Sequence, residues 1–263
     1  MKIEAITVCV DYADFLQEIA PCNLPFLDRW IVVTKASDEQ TRTVCRRFGM
    51  TAILTEETTT HGEGPFNKAR AINRGLQHLM GDGWVLHLDG DIALPVDFKR
   101  CLTDAHLRQG ALYGCDRFNV DGWKAWQSCK SRGLLSRRDG WLVDKHHPHA
   151  WVKGPVAIDG HGYLPVGFFQ LWWGAETLNR TYPGKTYPEG HGNAARTDVQ
   201  FALHWDRRDR IFIPELMVWH LESEPSWQGR NWNGRTSAPF GPPKGQQKAV
   251  AEEAVRGKVG YEG

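Results

Sequence analysis

Apolar positions along the first hundred residues follow two alternating rhythms. Ile3 to Val10 is a β-rich run ending at Asp11-Tyr12, as in a strand covered on both faces. Asp14 to Ala20 has helical spacing and is expected to stop at Pro21. Trp30 to Thr34 predicts a second strand. Ser37-Asp38-Glu39-Gln40 then supplies an S-x-x-Q capping box, with Thr41, Val44 and Phe48 along the inner face of a helix that Gly49 ends. Thr51 to Thr55 reads as a third strand and residues 56–64 as a polar loop. Pro65 is expected to open an amphipathic helix carrying Phe66, Ala69, Ile72, Leu76 and Leu79 on one stripe, closed by Gly81. A strand from Trp84 to Leu88 follows, then a helix from Asp97 to Gln109 burying Phe98, Cys101, Leu102 and Ala105. This β-α-β-α order predicts an α/β fold, a mostly parallel sheet flanked by helices, with its ligand site at the carboxyl ends of the strands.

Asp89-Gly90-Asp91 lies at that edge. Two carboxylates two residues apart, just past a buried strand, place hard oxygen ligands where a divalent cation could grip a diphosphate. Composition adds little to this. With 263 residues, 41% hydrophobic and 24% charged, the chain fits one large globular domain, and a net charge of +1 gives no overall pull toward nucleic acid or an anionic membrane. No run approaches a membrane span, and Met1-Lys2-Ile3-Glu4 lacks a signal-peptide layout. Cys9, Cys22, Cys45, Cys101, Cys115 and Cys129 show no paired spacing, so reduced thiols and a cytoplasmic location are expected. Ten of the twelve tryptophans lie from Trp123 onward, more than core packing alone demands if they sit in loops, where stacking on sugars or bases would use them.

The strand end at Asp11-Tyr12, Val32-Val33-Thr34 with Ser37-Asp38, the stretch Asn67 to Leu76, Leu88-Asp89-Gly90-Asp91, Thr197 to Phe201 and Trp219-His220-Leu221 together resemble a glycosyltransferase of the GT-A fold, of the family-2-like group. The resemblance covers residues 1–112 well and 163–222 more loosely. It implies a nucleotide-sugar-binding half over 1–112, an acceptor-binding half over 113–225 with an irregular insert at 113–160, and a tail at 226–263. It implies a metal-dependent enzyme that moves a sugar from a nucleoside-diphosphate sugar, first of all a UDP-sugar, to a hydroxyl acceptor, with inversion. Asp91 is then the first ligand of Mn²⁺ or Mg²⁺, Asp89 meets the ribose or a metal-bound water, and His220 completes the metal site. Asp198 is the expected general base, with an N-capping role as its alternative, and Glu176 stands in reserve. Lys68 and Arg70, near a helix start, suit a diphosphate. Asp11, Tyr12 and Asp38 flank the nucleobase, and Arg235 in the tail could reach the diphosphate.

The acceptor expected from the fold is a saccharide. A second possibility is a hydroxylated DNA base flipped from the duplex, suggested by Arg132, Arg137, Arg138, Lys145 and Lys153 interleaved with Trp126, Trp141 and Trp151. Cys115, Cys129, His146, His147 and His149 could offer zinc ligands, although a thirteen-residue gap between the cysteines lacks knuckle spacing. Gly184-Lys185-Thr186 lacks the earlier glycine of a P-loop, so residues 184–196 read as a lid or acceptor loop. Two rivals remain. A nucleotidyltransferase needs a glycine-rich loop after the first strand, which Val10-Asp11-Tyr12-Ala13 does not provide; a non-catalytic sugar- or nucleic-acid-binding module on the same fold is the other.

Overall fold

The computed structural model describes residues 1–56, 67–131, 150–152, 157–158, 160–178, 184–190 and 194–222. The expected alternation holds through the first half. β1 (Ile3–Val8), β2 (Arg29–Thr34), β3 (Thr51–Leu54) and β4 (Trp84–Leu88) are interleaved with α1 (Ala13–Asn23), α2 (Glu39–Phe48) and α3 (Lys68–Leu76). These four strands are mutually parallel, in the order β3-β2-β1-β4. The cap of α2 falls one residue later than the expected S-x-x-Q box: the N-cap is Asp38 in place of Ser37, its side chain accepting from Thr41 N, while Gly49 takes the left-handed conformation at the helix end as expected.

Three other helix boundaries differ from the sequence expectation. α1 runs through Pro21 to Asn23, because the buried Asn23 side chain donates to Ile92 O and accepts from Leu94 N, pinning the last turn to the sheet. α3 starts at Lys68, where the Asn67 side chain caps Arg70 N at 3.1 Å; Pro65 and Phe66 lie outside the described residues. α4 (Phe98–Asp104) ends five residues early, since His106 sits at a left-handed φ of 46° that no helix continues.

The second half departs further from the expected pattern. After the short β5 (Ile92–Ala93), residues expected to begin an irregular insert form β6 (Leu112–Asp121) and α5 (Gly122–Ser131). β6 is a central strand of the sheet. It is flanked on one side by β10 (Phe169–Trp173) and, farther along, β7 (Ala150–Val152), and on the other by the long β11 (Arg210–Glu222), with β5 beyond. β8 (Ala157–Ile158) and β9 (Gly162–Tyr163) form a separate small hairpin. β10 runs antiparallel to both β4 and β6, so the sheet is mixed rather than mostly parallel. β6 and β11 pair in parallel, with a bulge between Phe212 and Met217 that resets their register. The carboxyl ends of β1, β4, β6 and β11 therefore share one edge.

One face of the sheet packs under α1, α4 and α5 through Phe15, Ile19, Phe98, Leu102 and Trp126. The other packs under α3 and α7 (Ala194–Ala202) through Ile72, Leu76, Phe201 and Trp205. Trp30, Trp84, Trp126, Trp172, Trp205 and Trp219 are all buried, so core packing, not a loop platform, explains the tryptophans whose surroundings are described. Trp126 is held further by its indole N–H donating to Glu18 at 2.9 Å, beside Lys130. All six cysteines are free thiols, and among the described residues no helix is long and apolar enough to cross a membrane.

Gly75 sets how closely α3 approaches the sheet. A β-carbon there would come within 2.9 Å of both Ile6 Cγ2 and Val33 Cγ2, two β-branched side chains with little freedom to turn aside. Gly75→Ala is expected to lower unfolding stability by about 1–2 kcal/mol, overpacking outweighing the helix-propensity gain; urea denaturation measures this, and unchanged stability would show that α3 can lift without cost.

Candidate active site

β4 delivers Asp89 to the shared carboxyl edge, where Asp89 N donates to Phe168 O and Ile92 N to Asp89 O, forming the tight Asp89-Gly90-Asp91 turn. Immediately after it, β5 pairs antiparallel with β11 so that Ile92 faces His220, and Leu221 N donates to Asp91 O at 2.9 Å. Backbone pairing thereby carries Asp91 to His220. Asp91 Oδ2 lies 3.5 Å from His220 Nε2, and both side chains are buried. The other ring nitrogen, Nδ1, faces Asn119 Oδ1 at 2.9 Å and Glu222 Oε1 at 3.4 Å. Burial lowers the His220 pKa, but the Asp91 carboxylate, with help from Glu222, overcomes it, and the net shift is upward.

Lys68 begins α3 and forms an ion pair with Asp89 Oδ1; its side chain is only 13% exposed. Burial raises the Asp89 pKa against the opposing pull of Lys68, and neighbouring Asp91 raises it further. Arg117 from β6 stacks on the Phe168 ring, its guanidinium carbon 4.4 Å from the centroid. It feels Asp91, Asp89, Glu222 and Asp116 together. Four carboxylates thus lie within electrostatic reach of Arg117, and Lys68 pairs with one of them, Asp89.

Behind Asp89 lies a buried polar network. Tyr187 Oη donates to Gln170 Oε1 at 2.6 Å and sits 3.1 Å from His87 Nδ1, whose Nε2 is 3.7 Å from Asp89 Oδ1. Tyr187 also stacks on Phe201 of α7, ring centroids 3.9 Å apart. Its backbone is clasped at both ends by Asn73 of α3. Residues 184–190, expected as part of a lid or acceptor loop, are therefore moored to α3 and to the strand below Asp89. Arg70 belongs to this mooring: its Nε pairs with Glu189 at 3.3 Å.

The remaining candidates divide. Asp198 is the fifth residue of α7, so it is not the N-cap. Its carboxylate accepts from Gly167 N at 2.6 Å and Val199 N at 2.8 Å, and burial raises its pKa in spite of nearby Lys68. It stands on the same side as Lys68 and Asp89. Glu176 does not join them. β10 runs away from the edge, from Phe169 beside Leu88 to Trp173 beside Trp84, and Gly174 N donates to Gly83 O, so the short α6 (Ala175–Leu178) starts about 20 Å below Asp89. There Glu176 pairs with Lys185 at 2.8 Å, which removes it from the reserve role. Asp38 accepts from Asp11 N, Thr34 Oγ1 and Thr41 N, which ties the Asp11 turn to the start of α2. Asp11 is exposed at a left-handed φ of 60°, beside Tyr12, which packs on Phe15. Arg235, His146, His147, His149 and most of the basic-aromatic stretch lie outside the described residues.

Arg117, Asn119, Glu222, His87 and Tyr187 were not singled out in the sequence. Arg117-Phe118-Asn119-Val120 and Trp219-His220-Leu221-Glu222 alternate polar and apolar residues, the period-2 signal of a strand with one polar face. That signal was available.

No family model matches the sequence, and no curated protein matches it. Solved structures do resemble the fold. The chain is similar to glucosyl-3-phosphoglycerate synthase from Mycobacterium tuberculosis in complex with Mn²⁺ and UDP-glucose, with 13% identity, a TM-score of 0.51, and coverage of 98% of this chain and 78% of that one. The same enzyme with Mn²⁺, UDP-glucose and phosphoglyceric acid gives 14% identity and a TM-score of 0.50 over 83% of this chain and 71% of that one. A further mycobacterial protein gives 14% and 0.51, over 98% and 73%. The fold is therefore GT-A, as the sequence resemblance implied.

The network behind Asp89 makes a direct test. Tyr187→Phe keeps the stack on Phe201 but strips the hydroxyl from His87 and Gln170, and is expected to cost about 1–3 kcal/mol of stability; a loss below a few tenths in chemical denaturation would mean the network re-forms without it.

Proposed function

We propose that the chain is a metal-dependent glycosyltransferase that uses a UDP-sugar. The observation that carries this is the buried Asp91–His220 pair, 3.5 Å apart, inside the group of carboxylates around Arg117 at the sheet's carboxyl edge. Carboxylate oxygen and imidazole nitrogen suit Mn²⁺ or Mg²⁺. Among the described residues no three His, Cys, Asp or Glu side chains gather into a complete cation cage, which leaves the remaining coordination positions to substrate and water. When bound, the cation supplies Lewis-acid charge for a departing diphosphate. The solved glucosyl-3-phosphoglycerate synthases, which hold Mn²⁺ with UDP-glucose, support the same assignment.

In this reading Lys68 offers its ammonium to the diphosphate, Asp89 orients that ammonium and meets the ribose, and Tyr12 and Asp11 border the base. The acceptor hydroxyl attacks the anomeric carbon as the bond from that carbon to the diphosphate oxygen breaks. Asp198, its pKa raised by burial, takes the hydroxyl proton. With Asp198 as base the displacement inverts the anomeric centre; a product of retained configuration by NMR would remove Asp198 from that role.

For the acceptor, a small anionic hydroxy compound comes first, supported by the structural neighbour that holds phosphoglyceric acid beside UDP-glucose. Neutral saccharides come second, while the DNA-base reading rests on residues outside the described set.

Thermal shift with UDP, GDP, CDP, ADP and dTDP, each with and without Mn²⁺, tests the donor site. UDP is expected to stabilise the wild type only with Mn²⁺ and to lose this effect in Asp91→Asn; no metal-dependent shift with any nucleotide would overturn the proposal. Asp198→Asn is expected to bind UDP and Mn²⁺ normally while release of UDP from UDP-glucose, with phosphoglycerate or a saccharide present, falls about 10²- to 10⁴-fold. Turnover equal to wild type would exclude Asp198 as the base.

A further inference from the structure

Glu222 is the least expected member of the cluster. It is fully buried at the last position of β11, and neither of its carboxylate oxygens has a hydrogen-bond partner among the described residues. His220 Nδ1 lies 3.4 Å from its Oε1, and Arg117 is within electrostatic reach. A carboxylate withdrawn from water with so little compensation is costly, and its place on the far side of the imidazole from Asp91 keeps it from meeting a cation beside Asp91 directly. Asp91 faces Nε2, whereas Glu222 and Asn119 face Nδ1. Both neighbours of Nδ1 are oxygen acceptors. With a cation beside Asp91 taking the Nε2 lone pair, the ring's one proton would sit on Nδ1, where these acceptors receive it.

We infer that Glu222 is a positioning residue for metal binding: it fixes His220 with Nε2 toward Asp91 and, through its charge, makes that nitrogen a stronger donor. The inference rests on the metal reading of Asp91 and His220. Asn119, nearer but neutral, holds the ring's angle, and Glu222 adds the electrostatic part. A carboxylate behind a ligating histidine orients the ring and raises ligand basicity, and loss of such a partner weakens metal affinity by about 10- to 100-fold. The alternation of β11 makes the arrangement obligatory. His220 and Glu222 share one face of the strand, opposite Asn119 and Asp121 of β6.

The test measures Mn²⁺ affinity in the presence of UDP, by the electron paramagnetic resonance signal of free Mn²⁺, on wild type, Glu222→Gln, Glu222→Leu and Asp91→Asn. Asp91→Asn is expected to abolish binding. Glu222→Gln, which keeps the shape and an acceptor but loses the charge, is expected to weaken it about 10-fold, and Glu222→Leu about 100-fold. Wild-type affinity in both Glu222 variants, with Asp91→Asn inactive in binding, would overturn the role of Glu222 and leave the proposed function standing. Absence of Mn²⁺ binding by the wild type would overturn both. A second measurement needs no variant: ¹⁵N NMR of the wild-type histidines on adding UDP with Mg²⁺. Perturbation at His220 Nε2 with Nδ1 still protonated is the expected result, and the reverse pattern would refute the assignment.

Discussion

The parallel pairing of β6 with β11 is the constraint on which the site depends. β4 ends at Leu88, but β6 and β11 continue beyond it, pairing Val218 with Arg117, His220 with Asn119 and Glu222 with Asp121. Because side chains alternate across a strand, one register fixes which residues share a face. A slip by one residue would exchange His220 for Trp219 or Leu221 and dismantle the cluster. The apolar partners oppose such a slip: Phe118 and Trp219 stack on the opposite face, centroids 5.1 Å apart, so the core and the polar site enforce the same alignment.

Against this framework the donor side and the loop side are joined through few residues. Lys68 links α3 to Asp89, Asn73 and Arg70 link α3 to residues 187 and 189, and Tyr187 returns through His87 toward Asp89. α3 is thus the common support of both sides, and Gly75 lets it lie close enough to serve. Two of the residues that suggested phosphate chemistry in the sequence, Lys68 and Arg70, sit two positions apart on this helix and pair with different carboxylates.

Where local chemistry dominates, the sequence was legible. The strand-helix alternation to Leu88, the Gly49 stop and the placement of Asp89 and Asp91 after a buried strand all follow from patterns within ten residues. His220 was singled out by the family resemblance and not by local pattern. What stayed hidden depends on pairing between distant segments. Nothing near Glu176 reveals that β10 runs antiparallel and carries it away from the edge. Arg70 and Arg117 look alike as isolated cations, yet one meets Glu189 and the other enters the carboxylate cluster. The role of β6 was obscured because its lower half is apolar and its upper half alternates, so that it reads as two different short segments.

The bulge in β11 between Phe212 and Met217 separates these halves. Five positions of β11 pass there while β6 advances by two, with Pro214 in the looped-out stretch. The surplus length is absorbed at one point, so the strand above it aligns with β6 on its own terms. Insertions or deletions in the lower part of β11 are taken up in that slack without turning His220 and Glu222 to the wrong face. Such a joint lets one strand keep two separate registers on the same partner, one that serves the core below and one that serves the alternating polar positions above.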